Sequence, residues 1–250
     1  MTKLIIDADT ILYPSCYGEI QADAAYDKAI RKIERIKEYY WADEVNTFCF
    51  IKGVDNFRYD VFPNYKQTPS RIKAREDNTI VEELYSIIEE RDEGIFIPSD
   101  GMEADDAVRI KANEIEDSDY TIVTIDKDLQ CIHGEFFNPR TEEVFHVSKD
   151  EANKHYYKQL LTGDSTDNIR GLPRVGPVTA TKWLSETTDY KDLVLSKYEE
   201  KFEGAYEDVI TFVGSLIHIL RKEHDYFDIG FGDWFKKKRD LKTVLDKLGY

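Results

Sequence analysis

Short apolar runs alternate along this chain with stretches of helical periodicity, and several of the runs end in acidic residues. Leu4-Ile5-Ile6 leads into Asp7-Ala8-Asp9. Ala25, Ala29, Ile33, Ile36 and Tyr40 then recur at the spacing of one helix face. Val45 to Ile51 reads as a second strand. A helix over Thr79 to Glu90 precedes a third strand at Ile95-Phe96-Ile97, and Tyr120 to Ile125 makes a fourth, followed by Asp126 and Asp128. Strands alternating with helices predict an α/β fold, a parallel sheet with helices on both faces. The acids then fall at the carboxyl ends of strands, the edge of such a sheet where ligands bind.

The rest of the chain is less regular. Phe57 to Arg75 has no clean period, carries two prolines and alternates basic with aromatic residues, so it reads as a long exposed connection. Asp100 and Glu103 have capping-box spacing before a helix bearing Ala104, Ala107, Val108 and Ile115. Asn138-Pro139-Arg140 turns a hairpin, and Ser148 with Glu151 caps a further helix. Beyond about residue 148 the pattern is helical. Two regions are therefore expected, 1–147 and 148–250.

No apolar run approaches the ~20 residues needed to cross a bilayer. Met1-Thr2-Lys3 leads straight into a strand with no secretory pattern. Cys16, Cys49 and Cys131 are odd in number and scattered, which predicts reduced thiols and a cytoplasmic protein. A membrane protein and a disulfide scaffold are excluded as expectations. The formal charge is −16, from 34 Lys+Arg against 50 Asp+Glu, which opposes indiscriminate nucleic-acid binding. Placement matters more than the sum. Lys52, Arg58, Lys66, Arg71, Lys73 and Arg75 face only Asp55 and Asp60 over 52–75. Arg170, Arg174 and Lys182 share a stretch without acids, and a third basic tract runs from Trp234 to Lys247. Phosphate binding or plain solvated faces would both account for these tracts.

Asp7, Asp126 and Asp128 follow strands, and Glu103, Asp105 and Asp106 open a helix after another. Two carboxylates ~5 Å apart repel by roughly 3 kcal/mol at an effective dielectric of ~20. Gathering several requires protons or cations, and an all-oxygen set suits Mg²⁺ or Mn²⁺. The plainer readings are that Glu103 only caps a helix and that Asp126 and Asp128 only make a turn. Zinc has no support, because Cys131-Ile132-His133 lacks a second ligand pair. No glycine-rich phosphate loop precedes a helix, and Ser15, Ser99 and Ser165 lack a nucleophile-elbow context. A second acidic group, Asp164 and Asp167, stands before Gly171-Leu172-Pro173-Arg174-Val175-Gly176-Pro177. A glycine-rich turn opening a helix offers backbone N–H groups to phosphate, as in one limb of a helix–hairpin–helix clamp.

Five blocks occur in order: Leu4-Ile5-Ile6-Asp7, Phe57-Arg58 with Tyr65-Lys66, Gly101-Met102-Glu103-Ala104-Asp105-Asp106, Thr124-Ile125-Asp126-Lys127-Asp128, and Gly163-Asp164-Ser165-Thr166-Asp167-Asn168-Ile169-Arg170-Gly171. Together they resemble the bacteriophage and bacterial 5′-nuclease family, the flap endonucleases and 5′→3′ exonucleases related to a domain of DNA polymerase I. The match runs from about residue 3 to about 185. The resemblance implies a PIN-like parallel-sheet core over 1–147, with an arch at about 57–90. It also implies a helix–three-turn–helix DNA-binding region over 148–250, with its hairpin at 163–182.

It further implies two or more Mg²⁺ (or Mn²⁺) ions, one on Asp7, Glu103, Asp105 and Asp106 and another on Asp126, Asp128, Asp164 and Asp167, with K⁺ at the hairpin. Lys66 and Arg71 would serve the scissile phosphate. Arg58, Tyr65, Lys66, Arg71, Lys73, Arg75, Arg170, Gly171, Arg174, Gly176 and Lys182 would contact DNA. The implied activity is structure-specific hydrolysis of DNA at 5′ ends and 5′ flaps, extending to RNA–DNA hybrids, by a monomer in replication or repair. At the end of the second strand, where the family carries an aspartate, this chain has Lys52, with Asp55 nearby. Arg174 stands where the hairpin usually has glycine. Two alternatives remain: a haloacid-dehalogenase-type phosphatase, suggested by Asp7-Ala8-Asp9-Thr10, and a non-catalytic DNA-binding scaffold.

Overall fold

A computed structural model describes residues 3–76, 79–91, 94–115, 119–237 and 239–250, without the side chains of Arg75 and Glu76. The chain forms two compact units. The first comprises Met1–Asn56, Pro69–Lys149 and Arg221–Glu223, and the second Phe57–Thr68, Asp150–Leu220 and His224–Tyr250.

The first unit contains β1 (Lys3–Asp7), α1 (Asp9–Ser15), α2 (Ala22–Tyr40) and β2 (Thr47–Lys52). After α3 (Arg58–Val61), which belongs to the second unit, come α4 (Pro69–Glu76), α5 (Thr79–Arg91), β3 (Phe96–Ser99), α6 (Ala104–Glu114), β4 (Tyr120–Val123), β5 (Gly134–Asn138) and β6 (Glu143–Val147). The sheet order is β3-β2-β1-β4-β5-β6, with β6 antiparallel to β5 and every other pairing parallel. Leu4, Ile6, Cys49, Ile51, Val123 and Phe137 alternate inward from their strands. They close a core with Ile11 and Leu12 of α1, Ala25, Ala29 and Ile33 of α2, and Leu84 and Ile88 of α5. Helix α6 packs on β1, β2 and β3 outside that cluster. The expected α/β sheet with flanking helices is thus present.

Local details differ from expectation for local reasons. Val45 lies in a single turn ahead of β2, because the Asp43 carboxylate caps the Asn46 N–H at 3.0 Å. The capping box of α6 is set one turn later than predicted. Glu103 is its N-cap and Asp106 its third residue, with Asp106 Oδ2 accepting from the Glu103 N–H at 3.0 Å. Asp100 instead accepts from the Val54 N–H at 3.0 Å.

The second unit contains α3, most of α7 (Lys149–Thr162), the two-stranded β7 (Gly163–Asp164) and β8 (Ile169–Arg170), then α8 (Pro177–Ser185), α9 (Tyr190–Phe202), α10 (Tyr206–Ile217) and α11 (Leu241–Leu248). Helix α10 is buried continuously from Val209 to Ile217 and packs on α3, α9 and α11. A helix apolar on every side belongs inside a core. Its C-terminal carbonyls lack intrahelical partners, and burial would make that costly. Arg58 satisfies them, donating from Nε to the Leu216 carbonyl at 3.0 Å and from Nη2 to the His218 carbonyl at 2.7 Å.

This corrects the reading of 57–75 as an exposed connection. Phe57, Val61, Phe62 and Tyr65 are buried, and α4 follows from Pro69. Enclosing one phenylalanine such as Phe62 stabilises by roughly 2–3 kcal/mol. Proline and charge in the local sequence concealed a one-turn helix anchored by distant partners.

At the β7–β8 turn two backbones nearly touch. A Cβ on Gly171 would lie 2.4 Å from the Gly163 nitrogen and from the Thr162 carbonyl carbon. Gly171→Ala is therefore expected to cost about 1–3 kcal/mol in denaturant unfolding. Gly176→Ala, at a φ of −97° with open space around it, should leave stability unchanged.

Candidate active site

Asp7 ends β1 and is 3% exposed. Its Oδ2 accepts from the Thr124 hydroxyl at 2.9 Å, so the ends of two neighbouring parallel strands meet on one carboxylate. Burial raises the Asp7 carboxyl well above the ordinary range, and the charges of Asp9 and Asp126 push it further; hydrogen bonds from Thr124 and Thr10 oppose them. Asp126 is set by its own turn, with Thr124 Oγ1 accepting from the Asp126 N–H and Asp126 Oδ1 accepting from the Asp128 N–H at 2.8 Å. The plainer reading of that segment as a turn is thus also correct.

A second pair of carboxylates approaches Cys131. Burial raises this thiol to about 11, Arg109 pulls it down at 3.7 Å, and Asp105 and Asp128 raise it. Asp105 and Asp128 therefore both act on this thiol, and Arg109, which the sequence did not single out, supplies positive charge there. Asp106 is fully enclosed and engaged in the helix cap. Cys16, Cys49 and Cys131 are buried free thiols.

The donors around Asp7 are all carboxylate or hydroxyl oxygens, and buried like charges need compensation. Both facts suit a hard divalent cation that retains water. Among the described residues, no three Asp, Glu, His or Cys side chains are gathered tightly enough to hold an ion as they stand.

In the second unit, Asp167 Oδ2 accepts from the Tyr65 hydroxyl at 3.2 Å and lies 3.6 Å from Lys66 Nζ. The Lys66 N–H donates to the Asp167 carbonyl at 3.0 Å. Asn168, in the left-handed region, donates from its side chain to the Asn64 carbonyl at 2.9 Å. Tyr250 closes the other side, its hydroxyl donating to the Asn168 carbonyl and accepting from the Arg170 N–H, each at 2.7 Å. The Asp164 carboxylate accepts from the Thr166 N–H at 2.7 Å.

The residues expected on DNA divide by exposure and by the partners they hold. Arg58 is 1% exposed and holds the end of α10, so a phosphate contact does not fit it. Tyr65 is 1% exposed, so no ring face is open to a base. Arg170 spends its guanidinium on the Leu248 and Gly249 carbonyls and stacks on Tyr250. Gly171 serves close packing. Lys73, Arg174, Gly176 and Lys182 are exposed, Arg71 is half-buried, and the Arg75 side chain lies outside the described residues. In the C-terminal tract, Arg239 is caged by Asp208, Thr211 and the carbonyls of Phe231, Gly232 and Asp233, while Lys238 lies outside the described residues.

In the metal-free protein, protonated Asp7 is the form that folding favours. The contribution of Asp7 to stability is fullest below its unfolded pKa and is lost as pH rises through the raised native pKa. Asp7→Asn should therefore raise the metal-free unfolding midpoint at pH 7. Mg²⁺ should stabilise the wild type and stabilise Asp7→Asn less, by thermal melts with and without EDTA.

No protein-family model matches the chain. It is 30% identical over 181 residues to DNA polymerase I of Rhizobium leguminosarum, covering 65% of this chain and 17% of that protein. It is 27% identical over 218 residues to the 5′-3′ exonuclease of Buchnera aphidicola, covering 76% of this chain and 72% of that one. Two solved structures of the bacteriophage T5 protein align over nearly the whole chain. One is the 5′-exonuclease with zinc (TM-score 0.62, 15% identity, 99% and 100% covered). The other is the flap endonuclease with DNA and metal ions (TM-score 0.57, 13% identity, 100% of both). The chain thus spans about a sixth of the polymerase it matches and most of the exonuclease. The resemblance read from the five sequence blocks is borne out: the chain is similar to bacterial 5′-3′ exonucleases and carries the fold of the T5 5′-exonuclease.

Proposed function

We propose that this protein is a metal-dependent 5′-nuclease that hydrolyses DNA phosphodiesters at 5′ ends and 5′ flaps. What supports the reading most is Asp7, a buried carboxylate at a parallel-sheet edge, pressed by Asp9 and Asp126 and calling for a cation. Asp7, Glu103, Asp105, Asp126 and Asp128 would hold Mg²⁺ or Mn²⁺ in the first unit, several of them through water. In the second unit the candidate carboxylates for a cation are Asp164 and Asp167. A divalent cation held there would stabilise charge on the attacking and departing oxygens. Water adds to phosphorus and the bond to the 3′ oxygen breaks, leaving 5′-phosphate and 3′-hydroxyl ends.

Lys66 is held near Asp167 by its own backbone and over the Tyr65 ring at 5.2 Å, and it contributes fixed positive charge toward the phosphate. Arg174 and Gly176, exposed just ahead of α8, and Lys182, exposed in its last turn, grip duplex phosphates. The phosphatase alternative needs Asp9 as a proton donor to a leaving group. Both Asp9 oxygens instead accept hydrogen bonds, from the Lys52 N–H and the Tyr85 hydroxyl.

A 5′-flap, a nicked duplex and a small phosphoester compared in Mg²⁺ and in EDTA test the reading. Flap cleavage that requires Mg²⁺ is expected, and cleavage of the small ester alone overturns it. Asp126→Asn should abolish flap cleavage while binding in Ca²⁺ holds or tightens. Normal cleavage by that variant refutes the ligand assignment.

Lys66→Ala should lower the single-turnover rate about ten- to a thousandfold with little change in affinity. Arg174→Ala should weaken binding and reduce the salt slope by about one with the saturated rate kept. An affinity effect alone at Lys66 would make it a clamp.

A further inference from the structure

β2 ends at Lys52, between β1, which ends at Asp7, and β3, which leads to Glu103 and Asp105. Lys52 is exposed and, among the described residues, has no carboxylate at ion-pair distance, in a chain with 50 acids. Its ammonium is nevertheless held in place. Nζ lies 4.1 Å from the centre of the Tyr85 ring and 5.8 Å from that of Tyr13, and the two rings stand 6.2 Å apart.

The support beneath it is continuous. The Tyr85 hydroxyl donates to Asp9 Oδ1, and the Lys52 N–H donates to Asp9 Oδ2 at 3.0 Å. Asp9 thus braces both the strand end and the ring on which the ammonium rests. An aromatic face attracts a cation without neutralising it. A full positive charge is therefore kept in a fixed position at a sheet edge that is otherwise acidic. An anion approaching Asp7 must overcome the repulsion of these carboxylates, and a held, unneutralised lysine offsets that.

We propose that Lys52 is a substrate-binding residue that contacts a phosphodiester group of the nucleic acid, with Tyr85, Tyr13 and Asp9 as its positioning residues. The assignment rests on the nuclease reading above and adds a contact to it.

The test uses the full chain and a 5′-flap duplex. Affinity is measured against salt in Ca²⁺, single-turnover cleavage in Mg²⁺, and Mn²⁺ binding without DNA. Lys52→Gln should weaken flap binding about three- to tenfold, lower the log–log salt slope by about one, and slow cleavage, without weakening Mn²⁺ binding. Tyr85→Leu should reproduce part of that loss and add nothing to it in the double variant. Tyr85→Phe, which keeps the ring but loses its bond to Asp9, should lose less of the slope than Tyr85→Leu. A Lys52→Gln protein with wild-type slope and rate overturns the assignment while the nuclease reading stands. A wild type that neither binds nor cleaves flap DNA overturns both.

Discussion

The hydrogen bond from the Thr124 hydroxyl to the buried Asp7 carboxylate is the contact on which the first unit's chemistry depends. It fastens the end of β1 to the end of β4 and fixes a carboxylate where burial alone would favour its neutral form. Thr124 Oγ1 also accepts from the Asp126 N–H, so one side chain sets two acids at once. Moving either strand by one residue would reverse the faces of every side chain on it and separate the pair. The apolar alternation of Leu4 and Ile6 against α1, α2 and α5 holds that register.

The second unit reaches order by a different route. Its basic side chains satisfy carbonyls at helix ends and turns: Arg58 at the end of α10, Arg170 at the end of α11, and Arg239 among the carbonyls of residues 231–233. Guanidinium suits this use because its donors fan out in a plane and match several acceptors. The Gly163–Gly171 turn is gripped from two sides, by the Asn64–Lys66 segment and by Tyr250. Asp167 thus has little freedom before any ligand arrives.

Three arginines and a tyrosine that read in sequence as parts of basic, aromatic tracts therefore serve partners within the protein. Composition places charge along a chain. It does not say whether a guanidinium faces water or a carbonyl, because that depends on which helix end lies beside it. Arg58 is buried, and Arg170, though exposed, is engaged by the Leu248 and Gly249 carbonyls, whereas Arg174 and Lys182 lie exposed; burial and partners alike are tertiary properties.

By itself the sequence determined the sheet and its acidic edge. Strand and helix periodicities differ, so alternating β and α segments are visible locally, and the acids that follow strands must fall at their carboxyl ends. It also carried the five blocks that resemble the 5′-nucleases. Only the tertiary structure decided the rest. The burial of Tyr65 and Phe62, the role of Arg109 beside Asp105 and Asp128, the capture of Asp9 by Tyr85 and Lys52, and the clasp of Tyr250 on Asn168 join residues from 43 to 102 or more positions apart in several cases. No local period encodes such pairs. They exist because chain segments that pack for apolar reasons carry polar groups inward, and each buried donor or acceptor must then find a partner.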